Sequence, residues 1–132
     1  MNLFVCGPLF FPEVWRIVAG RSFVAINALL KGYACLNIRG HKNPGLFVLT
    51  SAVCDGFLYR NIDSETMTSV DNFYGEMHQR QNVKVIIEDG DTLMAVAHVI
   101  KFSYLGMVKK QPWNAEQFRQ NQMKKFLEAL AH

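Results

Sequence analysis

Apolar residues recur along this chain with two periods, and the switches between them outline its elements. Asn2 to Cys6 alternates weakly and is rich in strand formers, which predicts a first, buried β-strand. Gly7-Pro8 breaks it, because proline lacks a backbone donor and glycine permits unusual dihedrals. Pro12 suits the first turn of a helix running to about Ala19, with Val14, Trp15 and Val18 on one face and Gly20 ending it. Phe23 to Ile38 carries Val24, Ile26, Leu29, Leu30, Tyr33 and Leu36, predicting strands with a kink at Gly32. Asn43-Pro44-Gly45 reads as a turn, and Leu46 to Leu49 and Val53 to Tyr59 as two further strands.

Helical spacing returns at Met67, Val70, Phe73 and Tyr74, behind a cap at Asp63 or Ser64. Val83 to Ile87 and Leu93 to Ile100 are joined through Glu88-Asp89-Gly90-Asp91. The Asp-Gly pair supplies the positive φ that a hairpin turn needs. A terminal helix closes the pattern: Asn114 caps it, Gln117 completes a capping box, and Trp113 staples against Phe118. Phe118, Met123, Phe126, Leu127 and Leu130 form its apolar stripe. Mixed order with hairpins predicts an α+β fold rather than a doubly wound sheet.

Length adds that residues 1–132 make one domain, with room for a single core. Half the residues are hydrophobic and 19% are charged, which excludes a disordered chain. A net charge of +3 is too small to argue for nucleic acid. Lys109, Lys110, Arg119, Lys124 and Lys125 gather late in the chain and read as a solvated helix face, so no nucleic acid partner is expected. Cys6, Cys35 and Cys54 cannot all pair within one chain, and none has C-x-x-C spacing; free thiols in a reducing compartment follow. Met1 to Phe11 is apolar but has no basic leader and stops at Pro12-Glu13. Neither a signal peptide nor a membrane span is expected, and the cytoplasm is the default location. His41, His78 and His132 form no metal spacing with the cysteines, so no metal and no cofactor is expected.

Four stretches in order resemble the γ-glutamylcyclotransferase-like family, especially its plant avirulence-induced branch. Leu3-Phe4-Val5-Cys6-Gly7-Pro8-Leu9 is similar to the opening F-V-Y-G-(S/T)-L. Gly32-Tyr33 through Arg39-Gly40 to Pro44-Gly45 resembles G-Y…R-G…Y-P. Val70-Asp71-Asn72-Phe73-Tyr74-Gly75 with His78, Arg80 and Val83 resembles L-D-x-F-E-G-x-x-Y-x-R-x-x-V, and Trp113 to Leu127 resembles the branch's terminal helix. The resemblance implies a small mixed β-barrel with flanking helices and a C-terminal helix. It also implies a γ-glutamyl ligand held at the first loop, Cys6, Gly7, Pro8 and Leu9, by the backbone N–H groups that loop retains, with His98 as a further ligand-binding candidate. In the family a glutamate deprotonates the α-amine, which attacks the γ-carbonyl, so that 5-oxoproline closes and the amine leaves. A carboxylate is needed because an α-ammonium is not nucleophilic.

Tyr74 stands where that glutamate belongs, and a phenol of pKa about 10 is a poor base near neutrality. Cys6 replaces the loop tyrosine, and Pro8 removes both a hydroxyl and a backbone donor. His78 replaces a later tyrosine, and His98 lies where an aromatic is common. Asp71, Gly75 and Arg80 remain, read as structural, with Asp71 and Arg80 as an ion pair or cap contacts. Glu76 is the nearest acid and the candidate relocated base, although two positions on a helix is a turn of about 200°. Cys6 and His98 would form a nucleophile and base if their strands adjoin at the barrel mouth; a buried thiol packing as a small hydrophobe is the plainer reading. Three functions stand: an altered member binding a small acidic, γ-glutamyl-type ligand; an active cyclotransferase using Glu76; and a non-catalytic interaction protein with a filled pocket.

Overall fold

The computed structural model describes residues 1–131, so His132 lies outside the described residues. Strand β1, Leu3–Val5, is buried on both faces, with Phe4 turned toward one core and Leu3 and Val5 toward another. A single 3-10 turn, Gly7–Phe10, leads into α1, Pro12–Ala19. Gly20 ends α1 at φ 70°, its N–H donating to the Arg16 carbonyl. Then follow β2 (Ala25–Ile38), β3 (Gly45–Tyr59) and α2 (Ser64–Tyr74), which Asp63 caps by accepting from the Thr66 N–H. Strands β4 (His78–Ile87) and β5 (Thr92–Ile100) form the hairpin, with Gly90 at φ 88° in its turn. A 3-10 segment, Phe102–Met107, precedes β6 (Val108–Pro112), and α3 (Ala115–Asn121) and α4 (Met123–Leu130) follow.

Five strands close on themselves. β1 runs antiparallel to β3, β3 to β2, β2 to β4 and β4 to β5, and β5 returns parallel to β1 at Leu3 and Val96. β6 is an added strand on the far half of β2. This is the mixed β-barrel with flanking helices that the sequence resemblance implies. Phe4, Cys6, Leu30, Cys54, Leu58 and Val85 fill its interior. On the outer face Leu3, Val5 and Tyr59 pack beneath the helices with Trp15, Met67 and Phe118. Trp15 stacks on Tyr59 with ring centroids 4.0 Å apart and planes 5° from parallel. Each such side chain contributes about 1.5–3 kcal/mol by leaving water, before chain entropy is set against it.

Several elements differ from their sequence signals. The segments at Leu46–Leu49 and Val53–Tyr59 are one strand, not two, because Thr50 and Ser51 stay extended instead of turning. The register shifts at Gly32: Lys31 pairs with Val53 but Tyr33 with Val48, so the four residues of β3 between them have no paired counterpart in β2. β4 begins at His78, ahead of Val83, since ladder pairing with β5 carries its exposed polar residues. Lys109 and Lys110 lie on β6, not on a helix face. The expected terminal helix is broken at Gln122, φ −128°, although its apolar stripe continues through Phe118, Met123 and Phe126. The Asn114 cap forms as read, its side chain accepting from the Gln117 N–H at 2.9 Å.

Candidate functional site

The end of β1 and the turn after it form one wall of the site. Cys6 is buried on the barrel's inner face, and Gly7 has φ 69°. A Cβ on Gly7 would lie 2.8 Å from Pro44 Cγ, so both space and dihedral require glycine here. Beside this turn a cavity of about 640 Å³ opens, bounded by Cys6, Gly7, Cys35, Cys54, Asp55 and Trp113. That volume suits a small organic ligand.

Its three cysteines are free, and their thiols lie close enough to alter one another's protonation. Hydrogen bonding to Cys35 is the largest influence on Cys6; with burial, it outweighs the opposing contact from Cys54 and pushes that thiol well up. Cys54 is pushed far up by its hydrogen bond with Cys6 and then by burial. Both stay protonated near neutrality, and a protonated thiol is a weak nucleophile.

Of the loop residues expected at the site, Cys6 and Gly7 line this cavity, while Pro8 and Leu9 do not. Leu9 is fully buried in the core beneath the helices. His98 lies on the far side of the barrel wall: Ala97 and Val99 belong to the interior, and the alternation of β5 turns His98 toward α2. Cys6 and His98 are therefore not brought together as nucleophile and base.

Tyr74 ends α2 with its ring stacked on His98, centroids 4.6 Å apart and planes 14° from parallel, and 5.0 Å from the His78 ring. Burial, aided by the three thiols, pushes its phenol well above the ordinary value. It lines a separate cavity of about 120 Å³ with His41, Lys42, Asn43 and His78. Glu76 is exposed beyond the helix, where the Tyr104 hydroxyl donates to it at 3.5 Å, and it borders none of these cavities. Gly75, φ 77°, closes α2 by donating to the Asp71 carbonyl.

Asp71 holds the segment together. Arg80 donates to it through Nε at 3.1 Å and Nη2 at 2.7 Å, and His98 Nε2 donates at 2.6 Å. Burial opposes ionisation of this carboxyl, but the bonds from Arg80 and His98 outweigh it and hold the group below its usual range. With its proton committed to Asp71, neutral His98 leaves Nδ1 bare and buried without a partner. His78 donates from Nδ1 to the Tyr74 carbonyl at 3.1 Å, leaving Nε2 likewise unpartnered.

Burial depresses both imidazoles. As pH falls through about 6.5, unfolded chains take up protons that the folded protein resists, so stability is full above that pH and declines below it. Asp71, depressed in turn, adds a second loss as pH falls below about 4. Urea midpoints are expected to fall between about pH 7 and pH 5; a flat profile would contradict neutral buried histidines.

Sequence reasoning passed over Asp55. On β3 it stands two residues before Phe57, the partner of Val5 where the β1–β3 ladder ends and the Gly7 turn begins. It is the sole acidic residue along the large cavity among the described residues, with its exposed side chain on the face of β3 opposite the buried Cys54. Local periodicity carries no trace of it; only the pairing of β1 with β3 would have drawn it in.

A family model described as gamma-glutamyl cyclotransferase, AIG2-like, matches residues 3–116. AIG2-like protein A of Arabidopsis thaliana is 25% identical over 134 residues, spanning 98% of this chain and 78% of that protein. A solution structure from Arabidopsis thaliana superposes with TM-score 0.74 at 21% identity, covering 98% of this chain and 79% of the other. A structure named gamma-glutamyl cyclotransferase superposes with TM-score 0.67 at 13% identity, covering 98% and 85%. At such identities the structural likenesses speak for the fold.

Proposed function

The chain belongs to the gamma-glutamyl cyclotransferase, AIG2-like family, and on that premise we propose that it binds a small γ-glutamyl-type ligand beside Gly7 without cyclising it efficiently. Cyclisation needs a carboxylate to take the proton of the α-ammonium. One observation carries the reading: Tyr74, at the family's acid position, is stacked on His98 with its phenol pushed up, which makes it a still poorer base. Nor does Glu76 favour an active enzyme, since it is exposed and borders none of the cavities. The open cavity beside Cys6 and Gly7 supports retained binding over an interaction protein with a filled pocket. The Cys6 and Gly7 backbone N–H groups, which border the cavity, are the donors for a ligand carboxylate, and Pro8 removes a further one.

One domain carries this function. The free thiols support a reducing compartment such as the cytoplasm, and no helix among the described residues is long and apolar enough to cross a membrane.

Binding is tested by titrating the 15N-labelled protein with γ-glutamyl-ε-lysine. Saturable shifts are expected at the Cys6, Gly7 and Cys54 amides, with the ligand recovered intact. No shift at these positions would overturn the binding half of the proposal.

A further inference from the structure

A second cavity, of about 490 Å³, adjoins the first, and the two share Phe10 and Asp55. Phe10 stacks flat on Phe57, centroids 4.4 Å apart and planes 7° from parallel, forming an aromatic floor between them. Leu49 and Val53 border the first cavity and Leu29 the second, and all three are exposed large apolar side chains. Surface of this kind around a concavity marks a place where an apolar body docks.

The charge of the site has one sign. No lysine, arginine or histidine borders either cavity among the described residues, while Asp55 lies at their junction and Glu88 at the edge of the second. Asn27 donates to Glu88 at 2.6 Å, whereas no described side chain pairs with Asp55. Lys31 pairs with Val53 in the ladder and borders neither cavity. The backbone that carries Asp55 is fixed: a Cβ on the next residue, Gly56, would lie 2.2 Å from the Val5 carbonyl oxygen, so β3 is pressed against β1 at this spot, while the Asp55 side chain is exposed.

We propose that the joined cavities are a binding site for a primary amine with an apolar body, its ammonium held by Asp55 and its apolar part resting on Phe10. The proposal shares its cavity with the functional reading above and rests on it to that extent, but it does not require a γ-glutamyl group. An unpaired carboxylate beside an apolar wall favours a cation, disfavours an anion, and leaves a neutral molecule to apolar contact alone.

Three probes of one shape and different charge separate these terms: phenethylamine, 2-phenylethanol and phenylacetate, each titrated into the intact 15N-labelled protein. Phenethylamine is expected to bind about fivefold more tightly than the alcohol, the size of a solvent-touched ion pair, and phenylacetate most weakly. Shifts are expected at Phe10, Asp55 and Gly56. In Asp55→Asn the amine is expected to fall to the alcohol's affinity while the alcohol is unchanged, which also shows that the variant is folded; Glu88→Gln keeps the preference. Equal binding of amine and alcohol, a preference that survives Asp55→Asn, or no binding of any probe at millimolar concentration would overturn the proposal. Binding of phenethylamine without any response to γ-glutamyl-ε-lysine would sink the functional reading and leave this one standing.

Discussion

Replacing Gly56 with alanine is expected to lower the unfolding free energy by about 3 kcal/mol, the upper end of what overpacking costs. The new Cβ would meet the Val5 carbonyl oxygen at 2.2 Å and Phe4 Cζ at 2.6 Å. Neither neighbour can yield cheaply. Phe4 is inside the barrel, and Val5 belongs to a strand of three residues that is buried on both faces. That strand pairs with β3 on one side and β5 on the other, so moving it opens the ring at its closing seam. Gly106→Ala is the control: nothing lies within 4 Å of its Cβ position, and its effect is expected within about 0.5 kcal/mol. Urea denaturation of both variants checks the pair; equal midpoints would contradict the tight seam.

Asp71→Ala is expected to cost about 2–3 kcal/mol, because it leaves the buried N–H of His98 without an acceptor. Arg80 contributes less than its short bonds imply. It is 43% exposed and its partner 35%, so water and salt screen the pair, and Arg80→Ala is expected to cost about 1 kcal/mol or less. Asp71→Asn keeps an oxygen for His98 and should fall between the two. If Asp71→Ala proved no worse than Arg80→Ala in urea, the histidine contact would not be the one that matters. Asp71 thus serves as the clasp that holds the end of α2, and with it Tyr74, against β4 and β5.

The contrast between Asp71 and Asp55 illustrates what local pattern can and cannot reveal. Asp71 was readable as a partner for Arg80 because the two residues are nine apart in sequence, and the ion pair closes a short loop. The cap at Asp63, the Gly20 stop and the Gly90 turn were legible for the same reason: each is settled by residues within one turn of it. Barrel closure was carried by the family resemblance alone, since the parallel return of β5 to β1 joins residues 93 apart, Leu3 and Val96. β6 left no signal because an exposed edge strand with two lysines and a terminal proline has no alternation to display. The site suffered most from this limit. Cys6, Cys35 and Cys54 meet at one cavity from three strands or strand ends, and Asp55 joins them only through register. Strands β1 and β5 do adjoin, the condition under which Cys6 and His98 would meet, but His98 belongs to the opposite face of the wall, since one residue along a strand reverses the side chain.

Tyr74 remains the center of the functional reading, and turnover tests it most directly. Purified protein is incubated with γ-glutamyl-ε-lysine and with γ-glutamyl amino acids near neutral pH, and 5-oxoproline is measured against a protein-free blank. The expected result is product at the blank rate for every substrate. Product that rises in proportion to protein concentration, and that disappears in Glu76→Gln or Asp55→Asn, would contradict a lost base and establish a relocated one.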